Sequence, residues 1–260
     1  MSVVLAAGLS AGKDAPLSAS ERLQVLCDPG SLQLIRSEVL SGAMADKARA
    51  GDGAVGGAGL IDGRPVFCYA QDPTYAGGSL GEQHANTIVR VLELADRARA
   101  PVVGFVSSGG ARMQEGLAAL AGYGRIFHRV VSLSGRVPQI SIVSGLSAGG
   151  GAYSPALSDW VVMTAGSSMF LTGPGIVRDA LGEDVTADEL GGTRVHERNG
   201  VCHFVSPSDV DAAYLARELI GYLPAHRDQP PRWPAPGHRS EAIPGRACRR
   251  RHDACTTCAT

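Results

Sequence analysis

An α/β fold built on a mainly parallel sheet is what this sequence predicts, and three observations predict it. Short apolar runs alternate with helix-length amphipathic segments along most of the chain. One of the runs, "PVVGFVSS" at 101–108, is a short apolar run that fits a strand buried on both faces. Twice, at "SSGGAR" and "SGLSAGGGAYSPAL", a strand-like run passes through glycines into a helix-like segment.

Taken in order, "SASERLQVLCDPGS" reads as a short helix with Ser18 as N-cap, Glu21 completing a capping box and "DPGS" stopping it. "GAGLIDGRPVFCYAQD" gives two strands joined at Asp62-Gly63, a strong hairpin signal. "SLGEQHANTIVRVLELADRARA" carries Ile88, Val91, Leu92 and Ala95 at helical spacing, and Pro101 closes it. After "PVVGFVSS", a second helix is predicted from about Met113 to Ser132, with Met113, Leu117, Leu120, Phe127 and Val131 on one stripe. "PQISIVSG", "DWVVMT" and "SMFLTG" follow as strands, with Asp159 and Trp160 starting the second. "SPSDVDAAYLARELIGYLP" is a final helix, with Ser206 as N-cap, Pro207 at its first position and Asp209 three residues on.

These elements place one domain over residues 1–224 and a Pro-, Arg- and Cys-rich tail over 225–260. The tail holds seven arginines and five prolines with no apolar period, so it is expected to be disordered. Its Cys248, His252, Cys255 and Cys258 have a spacing that matches no common zinc finger, so no metal site is expected. In the whole chain 24 basic residues nearly balance 25 acidic ones, which gives no general pull toward nucleic acid or an anionic membrane. No apolar stretch reaches the roughly 18–20 residues that span a bilayer, and no basic segment precedes the apolar N-terminus as in a signal peptide. Cys27, Cys68 and Cys202 sit singly in core-like segments and read as free thiols of a cytoplasmic protein.

The chemistry is expected at the two glycine junctions. The first N–H groups of a helix lack internal partners and carry the positive end of its dipole. Glycine would let a substrate oxygen approach them without meeting a Cβ. Two such junctions facing one pocket suit an anion or an enolate oxygen. Ser108 and Ser147 adjoin the glycines, but neither lies in a G-x-S-x-G elbow, and no phosphate-loop or dinucleotide motif is present. His84, His196 and His203 have no partner visible in the sequence and read as structural or surface residues. Glu82 and Glu115 read as acids favoring helix N-termini.

Five segments, "AQDPTYAGGSLGE", "SSGGARMQEG", "VPQISIVSGLSAGGGAYSPALSDWVVM", "MFLTGPGIV" and "GEDVTADELGGTRVH", occur in one order. Together they resemble the N-terminal half of the carboxyltransferase subunit of biotin-dependent acyl-CoA carboxylases, of the propionyl-CoA carboxylase β type, over about Ser20–Pro224. The resemblance implies a ClpP/crotonase-like superhelix of repeated ββα units. It implies that the Gly149 and Gly150 amides hold a thioester enolate oxygen, and that Gly109 and Gly110 shape the same pocket or add a donor. Ser108, Ala111, Arg112, Ala148 and Gly151 then complete the substrate contacts, with Arg112 and Gln114 beginning the helix behind the pocket. "MADKARAGDG" is similar to the family's basic stretch near the coenzyme A phosphates, which makes Lys47 and Arg49 candidates there.

The implied ligands are an acyl-CoA and a carboxybiotin supplied by a partner, with no covalently bound cofactor. That partner would be a biotin carrier or carboxylase, or a second carboxyltransferase half, because the resemblance covers only half of the family's subunit. Ser107 stands where that family usually has an acidic residue. Two alternatives stay open: decarboxylation of malonyl- or methylmalonyl-CoA without biotin, and a non-catalytic acyl-CoA-binding or assembly role. A homo-oligomer, trimer or hexamer, is expected, because the helices near 79–98 and 113–132 offer apolar faces for a partner to cover.

Overall fold

A computed structural model describes residues 17–230. The predicted tail beyond residue 230, with its Cys/His cluster, lies outside the described residues. Along the chain run α1 (Ala19–Leu26), β1 (Gln33–Ile35), β2 (Ala54–Ile61), β3 (Arg64–Gln71), α2 (Glu82–Ala98), β4 (Val102–Ser108), α3 (Leu117–Leu133) and β5 (Gln139–Ala148). Then follow α4 (Gly150–Ala156), β6 (Trp160–Thr164), β7 (Ser168–Phe170), α5 (Pro174–Leu181), α6 (Ala187–Gly191), α7 (Thr193–Asn199), β8 (Phe204–Ser206) and α8 (Asp209–Tyr222).

The eight strands form one sheet in the order β1-β2-β3-β4-β5-β6-β8, with β7 paired to β5. β1, β2 and β3 are antiparallel neighbors. Asp62 and Gly63, at φ 49° and 72°, make the tight turn between β2 and β3. From β3 onward every pairing is parallel. β5 serves two neighbors in turn: Ile140–Val143 pairs with β6, and Leu146–Ala148 pairs with β7.

Helices cover both faces, which explains the unbroken apolar run of β4. Val103 and Phe105 point into one cluster with Leu23 and Leu26 of α1 and Ala212 and Ala216 of α8. Val102 and Val106 point the other way, into a cluster with Ile88, Val91 and Leu92 of α2 and Tyr123 and Ile126 of α3. A period of two on a strand enclosed on both sides puts apolar residues on both faces from Val102 to Val106, and the buried Ser107 and Ser108 follow at its end. Ser18 caps α1 through the predicted capping box with Glu21.

Three helical expectations differ from the structure. The second helix begins at Leu117, because Gly116 at φ 50° separates it from a single 3₁₀ turn over Met113–Glu115. Four residues of the stripe predicted there face solvent, Met113 90% exposed, Leu117 82%, and Leu120 and Val131 58% each, while Phe127 is partly buried. The buried stripe is Ala119, Tyr123, Ile126, Val130 and Leu133. The last helix is capped by Ser208, whose side chain accepts the Asp211 N–H, while Ser206 belongs to β8 and pairs with Thr164. The apolar face of α2, expected to seek a partner, is buried: Ile88, Val91, Leu92 and Ala95 all lie in the core.

Candidate active site

Parallel pairing of β4 with β5 sets Ser108 opposite Ser147, so the two glycine junctions leave the sheet side by side at the same edge. The ladder shifts register between Val106 and Ser108, and the Ser108–Ser147 pair closes it. Gly110 adopts φ 103° and Gly149 φ 56°, left-handed conformations that favor glycine. A Cβ on Gly110 would lie 3.7 Å from the Ala148 carbonyl, which brings the two turns into contact.

Neighbors within the chain also explain the triple glycine. A Cβ on Gly150 would come 2.8 Å from three ring carbons of Tyr123, and one on Gly151 would come 2.9 Å from Ser108 Cβ. Close approach to the backbone was the expectation, and here the approaching groups are a tyrosine ring and a serine. The Tyr123 hydroxyl lies 3.0 Å from Ser108 Oγ, which also accepts the Gly110 N–H at 3.3 Å. Burial pushes the Tyr123 phenol up to about 12, so it stays protonated.

The amides are not equally open. Gly149 N–H donates to the Phe170 carbonyl at 3.0 Å, and Gly109 N–H donates to the Gly77 carbonyl at 3.1 Å. Gly150 and Gly151 occupy the first two positions of α4, where N–H groups have no intrahelical acceptor. Ala148 and Gly150 are partly exposed, whereas Gly151 is buried. Of the expected site residues, Gly109 is exposed and Ala111 is partly exposed on the adjoining loop.

Arg112 lies behind this edge. It is 1% exposed, and its guanidinium pairs with Asp52 and, at 2.9 Å, with Glu115. It also donates to the carbonyls of Asp52 and Ser79 at 3.1 and 3.0 Å and sits 5.1 Å over the Tyr75 ring. Burial raises the Asp52 carboxyl despite the Arg112 contacts. Glu115 is held below its ordinary value: burial works against ionization, but the Glu82 N–H, the Ser41 hydroxyl and Arg112 outweigh it. Its carboxylate accepts the Glu82 N–H at 2.6 Å and so caps α2. Arg112 therefore ties Asp52, the 3₁₀ turn and the start of α2 together, and Gln114 is exposed beside it.

Lys47 is exposed in the 3₁₀ turn over Gly42–Lys47, and its carbonyl accepts the Tyr75 hydroxyl at 3.0 Å. Arg49 bonds Asp72 at 2.8 Å and Thr74 at 3.3 Å, at the wall of a groove of about 210 Å³ that also includes Ser20, Ser37 and Gly51. The loop carrying Asp72, Thr74 and Tyr75 continues to Gly77, whose carbonyl holds the Gly109 N–H. One loop thus links the basic stretch to the first glycine junction.

The histidines make structural contacts. Gln71 Oε1 accepts the Ser107 N–H at 3.1 Å, which turns its amide NH₂ toward His84 Nε2 at 3.1 Å. His84 must accept there and is neutral, its pKa driven down to about 3 by burial. His196 Nε2 lies 2.6 Å from the Met169 carbonyl, and His203 Nδ1 accepts the Val161 N–H at 3.0 Å. Sequence reasoning missed Tyr123, Asp52 and Gln71. Tyr123 sits eleven residues beyond "GGAR" on a helix with apolar residues all round, so no local signal marked it.

A family model described as the carboxyl transferase domain matches residues 10–249. The methylmalonyl-CoA decarboxylase subunit alpha of Veillonella parvula is 45% identical over 216 residues, 81% of this chain and 42% of that protein. The propionyl-CoA carboxylase beta chain of Cereibacter sphaeroides is 43% identical over 224 residues, 84% of this chain and 44% of that one. The chain therefore spans less than half the length of these curated relatives. Among solved structures, the transcarboxylase 12S hexamer with hydrolyzed methylmalonyl-coenzyme A bound superposes with TM-score 0.81 at 43% identity, over 86% of this chain and 45% of the other. A Pseudomonas malonate decarboxylase hetero-tetramer in complex with malonate gives TM-score 0.75 at 25% identity, over 80% of this chain and 84% of the matched one.

Proposed function

Since the chain belongs to the carboxyl transferase domain family and has its crotonase-like α/β fold, we propose that it binds an acyl-CoA and stabilizes its thioester enolate during carboxyl transfer. The observation that carries this reading is the pair of glycine junctions at the ends of β4 and β5, with the Gly150 N–H open at the start of α4. The thioester oxygen would lie against Gly150, with Gly149, Gly109 and Gly110 shaping the turn around it. Ser108, Ala111, Ala148 and Gly151 form the surrounding wall, and Arg112 holds that wall from behind. A backbone donor fixed before the reaction stabilizes the charge that develops on the oxygen, and losing one such donor typically costs about 10²–10³ in rate. The coenzyme A phosphates would lie toward Lys47 and Arg49. Carboxybiotin presented by another chain would release CO₂, the thioester α-carbon would give its proton to the biotin nitrogen so freed, and the enolate α-carbon would bond to the CO₂.

A second reading uses the same pocket in reverse. The carboxylate of malonyl- or methylmalonyl-CoA leaves as CO₂, its bonding pair becomes the enolate, and a proton from water completes the product. The decarboxylase relative and the malonate decarboxylase chain, of which this sequence covers 84%, favor it. A non-catalytic acyl-CoA-binding protein is the third. Incubating the purified chain with malonyl-CoA, methylmalonyl-CoA and propionyl-CoA, the last with carboxybiotin, and following thioester mass and CO₂ separates all three.

Assembly is part of this reading. Met113 of the 3₁₀ turn and Leu117 and Leu120 of α3 expose an apolar stripe, and Phe127 of α3 meets the half-exposed Tyr153 of α4 at 5.6 Å. Such a surface beside the junctions suits a subunit boundary, in a trimer, a hexamer or a pairing with a biotin-site chain. Among the described residues no helix is long and apolar enough to cross a membrane. The buried free thiols Cys27, Cys68 and Cys202 support a reducing, cytoplasmic setting.

A further inference from the structure

Resting on that reading of the site, we infer that Tyr123 is a positioning residue, a clamp that holds the two glycine junctions to each other. Its ring lies flat against Gly150: Cγ, Cδ2 and Cε2 are all 2.8 Å from where a Cβ would stand. Its hydroxyl lies 3.0 Å from Ser108 Oγ, and Ser108 Oγ accepts the Gly110 N–H. Ser108 Cβ in turn packs where a side chain on Gly151 would be, at 2.9 Å. One side chain on α3 therefore touches the second junction with its ring and reaches the first with its hydroxyl.

The sheet does not make this connection by itself. The β4–β5 ladder shifts register between Val106 and Ser108, just before the glycines begin. The last pair of that ladder is Ser108 with Ser147, so at the glycines beyond it strand pairing no longer sets the spacing of the two turns, and Tyr123 reaches both. The clamp is anchored on both sides. Tyr123 belongs to the core cluster with Ile126, Val130 and Leu133, and Phe127 and then Tyr153 continue the aromatic contact toward α4. The void lined by Tyr123, Gly151 and Ser154 measures about 10 Å³, no more than one water would occupy, so the ring cannot retreat inward. A substrate oxygen at Gly150 would thus meet an amide whose position depends on α3 as well as on its own strand.

The test compares Tyr123→Phe, Ser108→Ala and the double variant in the full chain. Tyr123→Phe keeps the ring on Gly150 and removes only the hydroxyl, so the melting temperature should stay within a few degrees. Backbone hydrogen exchange of the peptides covering 107–112 and 147–152 should accelerate together. With malonyl- or methylmalonyl-CoA as substrate, kcat should fall about 3- to 10-fold while KM hardly moves, as expected for one neutral hydrogen bond that aligns the donor. Ser108→Ala should reproduce both effects and add little to Tyr123→Phe. Faster exchange at one junction alone, no change at either, or fully additive effects would overturn the clamp. A wild-type chain that neither binds nor turns over acyl-CoA would count against the proposed activity, and the exchange data would still decide on Tyr123.

Discussion

Alanine at position 150 is the smallest perturbation that probes the site. Its Cβ would stand 2.8 Å from Cγ, Cδ2 and Cε2 of Tyr123. Non-bonded carbons settle near 3.5–4.0 Å, so either the ring or α4 must move by roughly 0.7 Å or more. The ring is 5% exposed, held at Ser108, and has only a void of about 10 Å³ behind it. Overpacking of this kind costs about 1–3 kcal/mol. For a chain of this size that lowers the melting temperature by about 2–12 °C. If α4 is the element that shifts, turnover should fall by up to about 10²–10³ as the Gly150 N–H leaves its position. Calorimetry and an acyl-CoA assay read the two effects, and Gly124→Ala provides the control. Gly124 lies in α3 with nothing within 4 Å of its Cβ position, so alanine there should stabilize by about 0.5–1 kcal/mol. In a Tyr123→Leu background most of the Gly150→Ala penalty should disappear, because the two sites share one contact. A Gly150→Ala protein that melts with the wild type and reacts at its rate would refute the packing account of the triple glycine.

Arg112→Met leaves the buried Asp52 and Glu115 carboxylates without their shared cation, and urea unfolding should register a loss of about 3–5 kcal/mol; an unchanged midpoint would show that the ion network contributes nothing. Glu115 has a depressed pKa in the folded state, so its contribution is present above about pH 4.5 and is lost as pH falls through the folded value. Glu115→Gln should therefore destabilize near neutral pH and flatten the acid limb of the stability curve, which denaturation across that range measures. Light scattering on the purified chain should give a trimer or hexamer, and Leu117→Glu with Leu120→Glu on the exposed stripe should dissociate it; a wild-type monomer with full acyl-CoA activity would contradict the assembly.

Where the sequence was legible, a local rule and the tertiary environment agreed. The Asp62-Gly63 turn needs two residues at positive φ, and the structure supplies 49° and 72°. Ile88, Val91, Leu92 and Ala95 lie on a helix whose other face is polar, so only one stripe could turn inward. The next helix had no such contrast. Ala119, Tyr123, Ile126 and Val130 compete with Met113, Leu117, Leu120 and Val131, and the smaller Ala119 and Gly122 let α3 pack close to α2. Ser206 and Ser208 each precede an aspartate by three residues, so the capping motif occurs twice in succession. Sheet pairing of Ser206 with Thr164 decides for Ser208.

At the site, the two glycine junctions were legible as glycines closing strand-like runs, and their sharing of one pocket was implied by the family resemblance. Their occupants were not legible. The partner of Gly150 is a ring reached through tertiary packing, and Arg112 meets Asp52 across sixty residues of chain. Contacts of that kind leave no period or motif to read. Gly149 and Gly109 were legible as turn residues, but not as amides already engaged by Phe170 and Gly77.

Activation of an acyl-CoA thioester at the glycine junctions of β4 and β5 is the proposal on which the reading of this site rests. Mass spectrometry of malonyl-CoA, methylmalonyl-CoA and propionyl-CoA incubated with the purified chain, with carboxybiotin added for the last, tests it most directly. At least one thioester should show saturable conversion, with gain or loss of a carboxyl group, reduced in Gly150→Ala by up to about 10²–10³ where α4 shifts. Absence of both binding and conversion for all three, in a folded protein, would contradict the proposal.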